Sequence, residues 1–274
     1  MGTAILLIVG VCATVPQLVA PMDPTEQRLL ARFTPPFSRA ADGTLAVLGT
    51  DQLGRDILSR LIYGARTSSL IGFAAVLIAG LTGTALGLLA GVRGGASDHA
   101  VMRLADMQLA FPFILLAITV IGILGPSIRN LVLVVGIANW AAYARVVRAE
   151  TLAVRERPFV EAARSLGLSS RSIVFRHILP NVSASLMVVA TFGIAGAILS
   201  EAGLSFLGLG VPVAIPSWGG MLAEGRQYVD TRYWLALFPG AALFVTVMAI
   251  NLVGDTLRDA FDPYLHARRS LNQL

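Results

Sequence analysis

The sequence predicts an all-α, polytopic membrane protein with about six spanning helices. Two observations carry that expectation. The 274 residues are 55% hydrophobic and only 14% charged, with a mean hydropathy of +0.74. A soluble domain carries roughly 25% charged residues, so this chain cannot clothe a water-facing surface. Its apolar residues also gather into six long runs, each near the ~20 residues that a helix needs to cross a bilayer.

The runs cover about residues 3–20, 68–92, 104–124, 128–147, 182–206 and 233–253. The first lacks the positive n-region and the small-residue cleavage site of a signal peptide, so it reads as an anchor. Its abrupt start leaves open a short basic tail ahead of Met1. The following loop opens with "PMDPTEQ" and "TPPF", which read as irregular chain. It closes on Ile57, Leu61 and Ile62 at helical spacing, with Asp56, Arg60 and Arg66 elsewhere, the pattern of a short amphipathic helix leading into the second run.

The second run places Gly83, Gly87 and Gly91 on one face, where small residues let helix backbones approach closely. Pro112 should kink the third. Arg103 and Asp106, three apart near its inner end, are spaced to pair with each other. The loop after the fifth run, "LGLGVPVAIPSWGGML", is rich in Gly and Pro, and its Trp218 suits a membrane interface. The sixth run leads into a helix carrying Asp255, Arg258, Asp259 and Asp262 on a solvated inner face.

Arginine bias orients the spans. With the N-terminus inside, twelve Arg fall on the cytoplasmic side (Arg93, Arg103, seven from Arg145 to Arg176, Arg258, Arg268, Arg269) and nine outside. The short links decide it. The link between the third and fourth runs has only Arg129, while the next is densely basic. Both termini are expected inside.

Composition also excludes chemistry. All 21 basic residues are Arg, so the chain has no Walker A lysine, no Schiff-base lysine and no Ser-Lys dyad. Any ATP must be bound by another chain. The lone cysteine, Cys12, lies in an apolar run and forms no internal disulfide. His99, His177 and His266 match no metal spacing, and no carboxylate pair or nucleophile–base set stands out.

One stretch does not suit lipid: "FVEAARSLGLSSRSIVFRHILPN", residues 159–181. Phe159, Ala162, Ala163 and Leu166 fall at i, i+3, i+4 and i+7, one apolar helical stripe, with Glu161, Arg164 and Ser165 off it. Gly167 suits a helix C-terminus. Ser169 or Ser170 can cap a second short helix carrying Ile173, Val174 and Ile178, and Pro180 ends it before the fifth run. Residues 155–177 hold five Arg and two Glu. Such a segment can rest on anionic lipid, or dock its stripe in a groove of a cytoplasmic partner.

The residues favour docking. Glu161-Ala162-Ala163, three residues, Gly167, nine residues, then His177-Ile178-Leu179-Pro180 resembles the EAA motif of bacterial ABC importer permeases. His177 departs from the aliphatic residue of the general pattern and resembles the dipeptide/oligopeptide/nickel branch. Three further segments resemble that branch in the same order: "LGTDQLGRDILSRLIYGARTSS" from Leu48, "LSEAGLSFLGLGVPVAIPSWGGML" from Leu199 and "NLVGDTLRDAFDPYL" from Asn251. Together they cover residues 45–265, and the arrangement is similar to the second permease subunit of a dipeptide-type system.

The resemblance implies a five-helix type I ABC importer permease core with an extra first helix. It implies a second permease subunit, two cytoplasmic ABC ATPase subunits that hold ATP and Mg, an extracytoplasmic substrate-binding protein, and a place in the bacterial inner membrane. Neither a cofactor, a metal nor nucleic acid is expected on this chain, and no catalysis. Glu161, Ala162, Ala163, Arg164, Gly167, His177, Leu179 and Pro180 would form the ATPase-coupling site. The division expected is 1–20 as first span, 21–66 as extracytoplasmic loop, 67–258 as permease core with a coupling loop at 149–181, and 259–274 as cytoplasmic tail. Glu201, inside the fifth run, either lines the pathway, meets the adjacent permease, or is a hydrogen-bonded structural group. A secondary transporter should instead show a repeat, and none is visible. Peptides are the expected substrate, with nickel complexes, glutathione, opines and glycosides as alternatives.

Overall fold

Proline sets the first boundary. Helix α1 spans Gly2–Thr14 and stops at Val15, which sits at φ −126°, because Pro16 lacks an N–H and disfavours helical geometry in the residue before it. Pro16 then opens the short helix α2, Pro16–Val19. The run expected as the first span is therefore divided between a 13-residue helix and the four-residue α2. The computed structural model describes residues 1–261; Asp262, His266, Arg268 and Arg269 lie outside that range.

The loop that follows is mostly irregular, as expected, but it holds a small ladder. Strand β1, Ser38–Arg39, pairs antiparallel with β2, Leu45–Ala46. Thr50 ties the loop together: its hydroxyl donates to Ala31 O and accepts the Thr34 N–H at 2.8 Å. Asp56 then caps α3, Ile57–Arg93, accepting from the Ser59 N–H at 2.8 Å and the Ser59 hydroxyl at 2.7 Å. The amphipathic helix and second span expected separately are one 37-residue helix.

Helix α4, Gly95–Ala110, and α5, Phe113–Leu124, divide the third run at Phe111 and Pro112, where the kink becomes a break. Helix α6 covers Ile128–Arg155, α7 Pro158–Ser165 and α8 Ser170–Ile173. A π turn, Val174–Ile178, joins α8 to α9, Leu179–Phe206. Helix α10 is Trp218–Gly225 and α11 is Trp234–Phe261. Among the described residues, α3, α6, the continuous stretch Ser170–Phe206 and α11 are long and apolar enough to cross a membrane, and α4 with α5 gives up to a fifth span.

The chain forms two compact units. The first combines Met1–Ala75, Ile114–Val135 and Ile194–Ile250. Ala65, Ala195, Ile198, Trp218 and Ile250 form its core, with Leu6, Val9 and Cys12 of α1 packed on them. Trp218 is buried, and its indole N–H donates to Leu61 O at 3.0 Å.

The second unit combines Val76–Phe113, Gly136–Gly193 and the stretch from Asn251. Here the glycine face of α3 meets α6. A Cβ on Gly83 would lie 2.5 Å from Trp140 O, on Gly87 2.6 Å from Ala144 O, and on Gly91 2.7 Å from Thr151 Cβ. The close approach expected of this spacing is present. Arg148 grips Asp98 of α4 through both Nε and Nη2. Asp106 pairs with Arg145 at 2.5 Å, so the expected Arg103 pairing gives way to a tie between helices.

Candidate functional site

The charged turn belongs to the second unit. Arg157 has extended backbone and Pro158 occupies the first position of α7, where a missing N–H costs nothing. Glu161 lies in the first turn, the favourable end of the helix dipole for an acid. The expected stripe is divided. Val160 and Ala163 turn inward and join Val147, Val154, Ile173, Ile178 and Val182 in one apolar core. Phe159 (41% exposed), Ala162 and Leu166 (80% exposed) face outward. Adjacent apolar faces therefore do separate work, one holding α7 to its own unit and the other standing open.

Helix α7 closes with a Schellman motif. Gly167 adopts φ +79°, its N–H donates to Arg164 O at 2.9 Å, and the Leu168 N–H reaches back to Ala163 O at 3.1 Å. A Cβ at Gly167 would meet nothing within 4 Å. Backbone sign, and not crowding, requires glycine here. Ser169 caps α8, accepting from the Ser172 N–H at 3.3 Å.

Pro180 does not end the segment. The helix continues from Ser170 to Phe206, and the wide turn before the proline carries an i→i−5 bond from the Leu179 N–H to Val174 O. The side chain of Asn181 donates to His177 O at 2.6 Å. Such π turns accommodate what a regular helix cannot. His177 gains a physical role: its ring meets that of Phe159 at 6.2 Å, linking the π turn to the start of α7. Arg164, Arg171 and Arg176 are exposed, as is Glu161. Leu179 is half-buried beside Phe175, Leu186 and Met187 in an apolar groove of about 570 Å³.

Two polar nodes in the first unit hold α10. Glu201 is fully buried. It accepts from the Ser68 hydroxyl at 3.1 Å and the Ser205 hydroxyl at 2.7 Å, and Ser68 Oγ in turn accepts the Trp218 N–H at 3.3 Å. With its carboxyl held by serine hydroxyls of its own unit, Glu201 has the geometry of a hydrogen-bonded structural group.

The second node as a whole has no signature in the local sequence. Asp51 and Glu224 together bind Arg55 and Arg60. Arg55 donates to Asp51 at 2.6 Å and to Glu224 at 2.6 Å, and Arg60 contacts both acids. Gln52 adds an amide donor to Glu224 at 2.9 Å. Burial pushes the Glu224 carboxyl up, but the hydrogen bond and charge of Arg60, the charge of Arg55 and the Gln52 amide outweigh it and hold it below the usual glutamate range. The Asp51–Arg55 spacing of four was visible; the partner 169 positions on from Arg55 was not.

Helices long and apolar enough to cross a membrane, with a charged helical turn that resembles the EAA motif, point to a transport permease. Comparison with known proteins gives the family. Residues 83–266 match the family described as the binding-protein-dependent transport system inner membrane component, and this chain belongs to it. The di/tripeptide transport system permease protein of Pseudomonas aeruginosa is 44% identical over 96% of this chain and 87% of its own. The dipeptide transport system permease protein of Alkalihalophilus pseudofirmus is 46% identical over 78% of this chain and 71% of its own. The glutathione transport system permease protein of Pectobacterium atrosepticum is 46% identical over 80% and 72%.

Among solved structures, an inward-facing methionine ABC transporter is similar with a TM-score of 0.59 and 20% identity, covering 74% of this chain and 96% of that one. An amino acid ABC transporter solved with histidines gives 0.56 and 16%, covering 72% and 92%. At such identities the likeness speaks for the fold. The chain is a multi-pass, inner-membrane permease of an ABC importer.

Proposed function

We propose that this permease forms half of a pathway for peptides, di- or oligopeptides, together with a second permease subunit. Two cytoplasmic ABC ATPase subunits hold ATP and Mg, and an extracytoplasmic binding protein delivers substrate; this chain is non-catalytic. Both termini lie in the cytoplasm, residues 21–66 lie outside, and 149–181 form the coupling loop between flanking parts of the 67–258 core. Relatives named for di/tripeptide, dipeptide and glutathione transport support a peptide-class cargo. Glutathione itself is the second reading, favoured by the 46% identity to a glutathione permease.

The observation that carries the coupling role is the outward stripe of Phe159, Ala162 and Leu166 beside Glu161, on a helix anchored by Val160 and Ala163. That face fits a groove on an ATPase, and the site extends through Arg164, Gly167, His177, Leu179 and Pro180. Leu166→Asp is the direct test in the reconstituted transporter. ATP hydrolysis without import, or loss of ATPase subunits from the complex, is expected. Normal import by Leu166→Asp and by Phe159→Asp would remove the assignment. Competition among radiolabelled dipeptide, tripeptide and glutathione for the binding protein decides the cargo.

A further inference from the structure

Behind α10, the first unit contains an apolar cavity of about 260 Å³. Ile8 and Cys12 of α1, Ala65 of α3, and Ala242 and Val245 of α11 line it, and the indole of Trp218 forms part of the wall. Among the described residues, no charged side chain lines it. The Trp218 N–H is already bonded to Leu61 O at 3.0 Å, so the indole offers carbon surface.

Protein interiors hold few voids larger than a water molecule. A large cavity with apolar walls stays dry and takes apolar guests. Ile8 is 65% exposed and Val245 36%. They lie on an apolar N-terminal helix and on a helix long enough to cross the membrane. The cavity thus opens onto an apolar outer surface of these helices. The guest at hand on that side is a hydrocarbon chain.

We propose that the cavity binds one acyl chain of a bilayer phospholipid, packed against Trp218. Without a charged wall, the tail is recognised and the headgroup is not. An acyl chain here would pack against Trp218, the first residue of α10.

The test places the assembled transporter in nanodiscs doped with a phospholipid that carries a diazirine near its tail end. After illumination, adducts are mapped by mass spectrometry. Adducts on Trp218 and Ala65 are expected, because these are only 2% and 3% exposed and lie beyond lipid that merely surrounds the protein. Choline and glycerol headgroups should label alike. Ala242→Phe, which fills the cavity, should abolish these adducts while leaving those on exposed Phe244. Ala65→Leu provides a second filling variant, scored on Trp218 adducts, should the first not fold. Adducts confined to Phe244 and similar exposed residues overturn the proposal. So does labelling from a single headgroup, or capture of a neighbouring permease chain by a benzophenone maleimide on Cys12, the chain's one cysteine.

Discussion

Arg60 and Glu224, 164 positions apart, meet as a two-point ion pair: Nη1 donates to Oε2 and Nη2 to Oε1, each at 2.9 Å. Planar, two-point pairing of this kind is what guanidinium offers and an ammonium does not. It fixes the C-terminal end of α10 to the start of α3.

Breaking this pair should be costly. Removing one partner of a buried pair leaves an uncompensated charge and costs about 3–5 kcal/mol, so Glu224→Gln should lower the thermal midpoint of the purified transporter at neutral pH. The pH dependence has a definite sign. The folded pKa of Glu224 lies below its ordinary value, about 4.3. Its contribution is therefore complete above that value and is lost as pH falls through the folded pKa. Wild type should lose stability on acidification in that window, and the Gln variant should lose less. Parallel curves for the two proteins would remove Glu224 from the account.

Glu201 offers a contrast without arginine. Glu201→Gln keeps one carbonyl acceptor for Ser68 or Ser205, whereas Glu201→Ala leaves both hydroxyls without their acceptor and opens a void. Each orphaned buried donor costs about 1–3 kcal/mol. Ala should therefore be the more damaging variant by roughly 2 kcal/mol, measured as thermal shift and as protease sensitivity of α10. Equal losses would mean that the carboxyl's hydrogen bonds matter little.

The glycine face of α3 should respond by position. Gly83→Ala, Gly87→Ala and Gly91→Ala each force a methyl against α6 and should cost about 1–3 kcal/mol. Gly80→Ala, whose Cβ would lie 3.9 Å from the Tyr143 ring, should be near neutral. Melting of the four variants in one detergent separates the two classes.

At Gly167 conformation decides, not space. Gly167→Ala should cost about 1 kcal/mol through its positive φ, and Gly167→Asn less, since Asn tolerates the left-handed region. An added Cβ meets no described atom of this chain within 4 Å. If Gly167→Trp impairs import far more than Gly167→Ala, the added loss reports a partner's surface. Transport assays on the three variants, with complex assembly as control, read this out.

Helix type and order were legible because lipid demands long apolar runs, and the glycine spacing fixed a packing face. The misreadings have physical causes. A run of 18 apolar residues hides a break when Pro16 lies inside it. Trp218 has the composition of an interface residue, yet its partner Leu61 lies 157 positions earlier. Periodicity placed Ala163 with Phe159 and Leu166, about 40° and 60° from it on a helical wheel, but could not show where the core ends and the open face begins. The Asp51–Arg55–Arg60–Glu224 node and the contact of His177 with Phe159 arise from tertiary packing that no local spacing encodes.

The divided stripe of α7 has a mechanical corollary. A helix merely resting against a bundle can transmit compression and nothing else. With Val160 and Ala163 embedded among Val147, Val154 and Ile178, α7 also bears tension. A pull on Phe159 or Leu166 would thus be carried into the unit as firmly as a push.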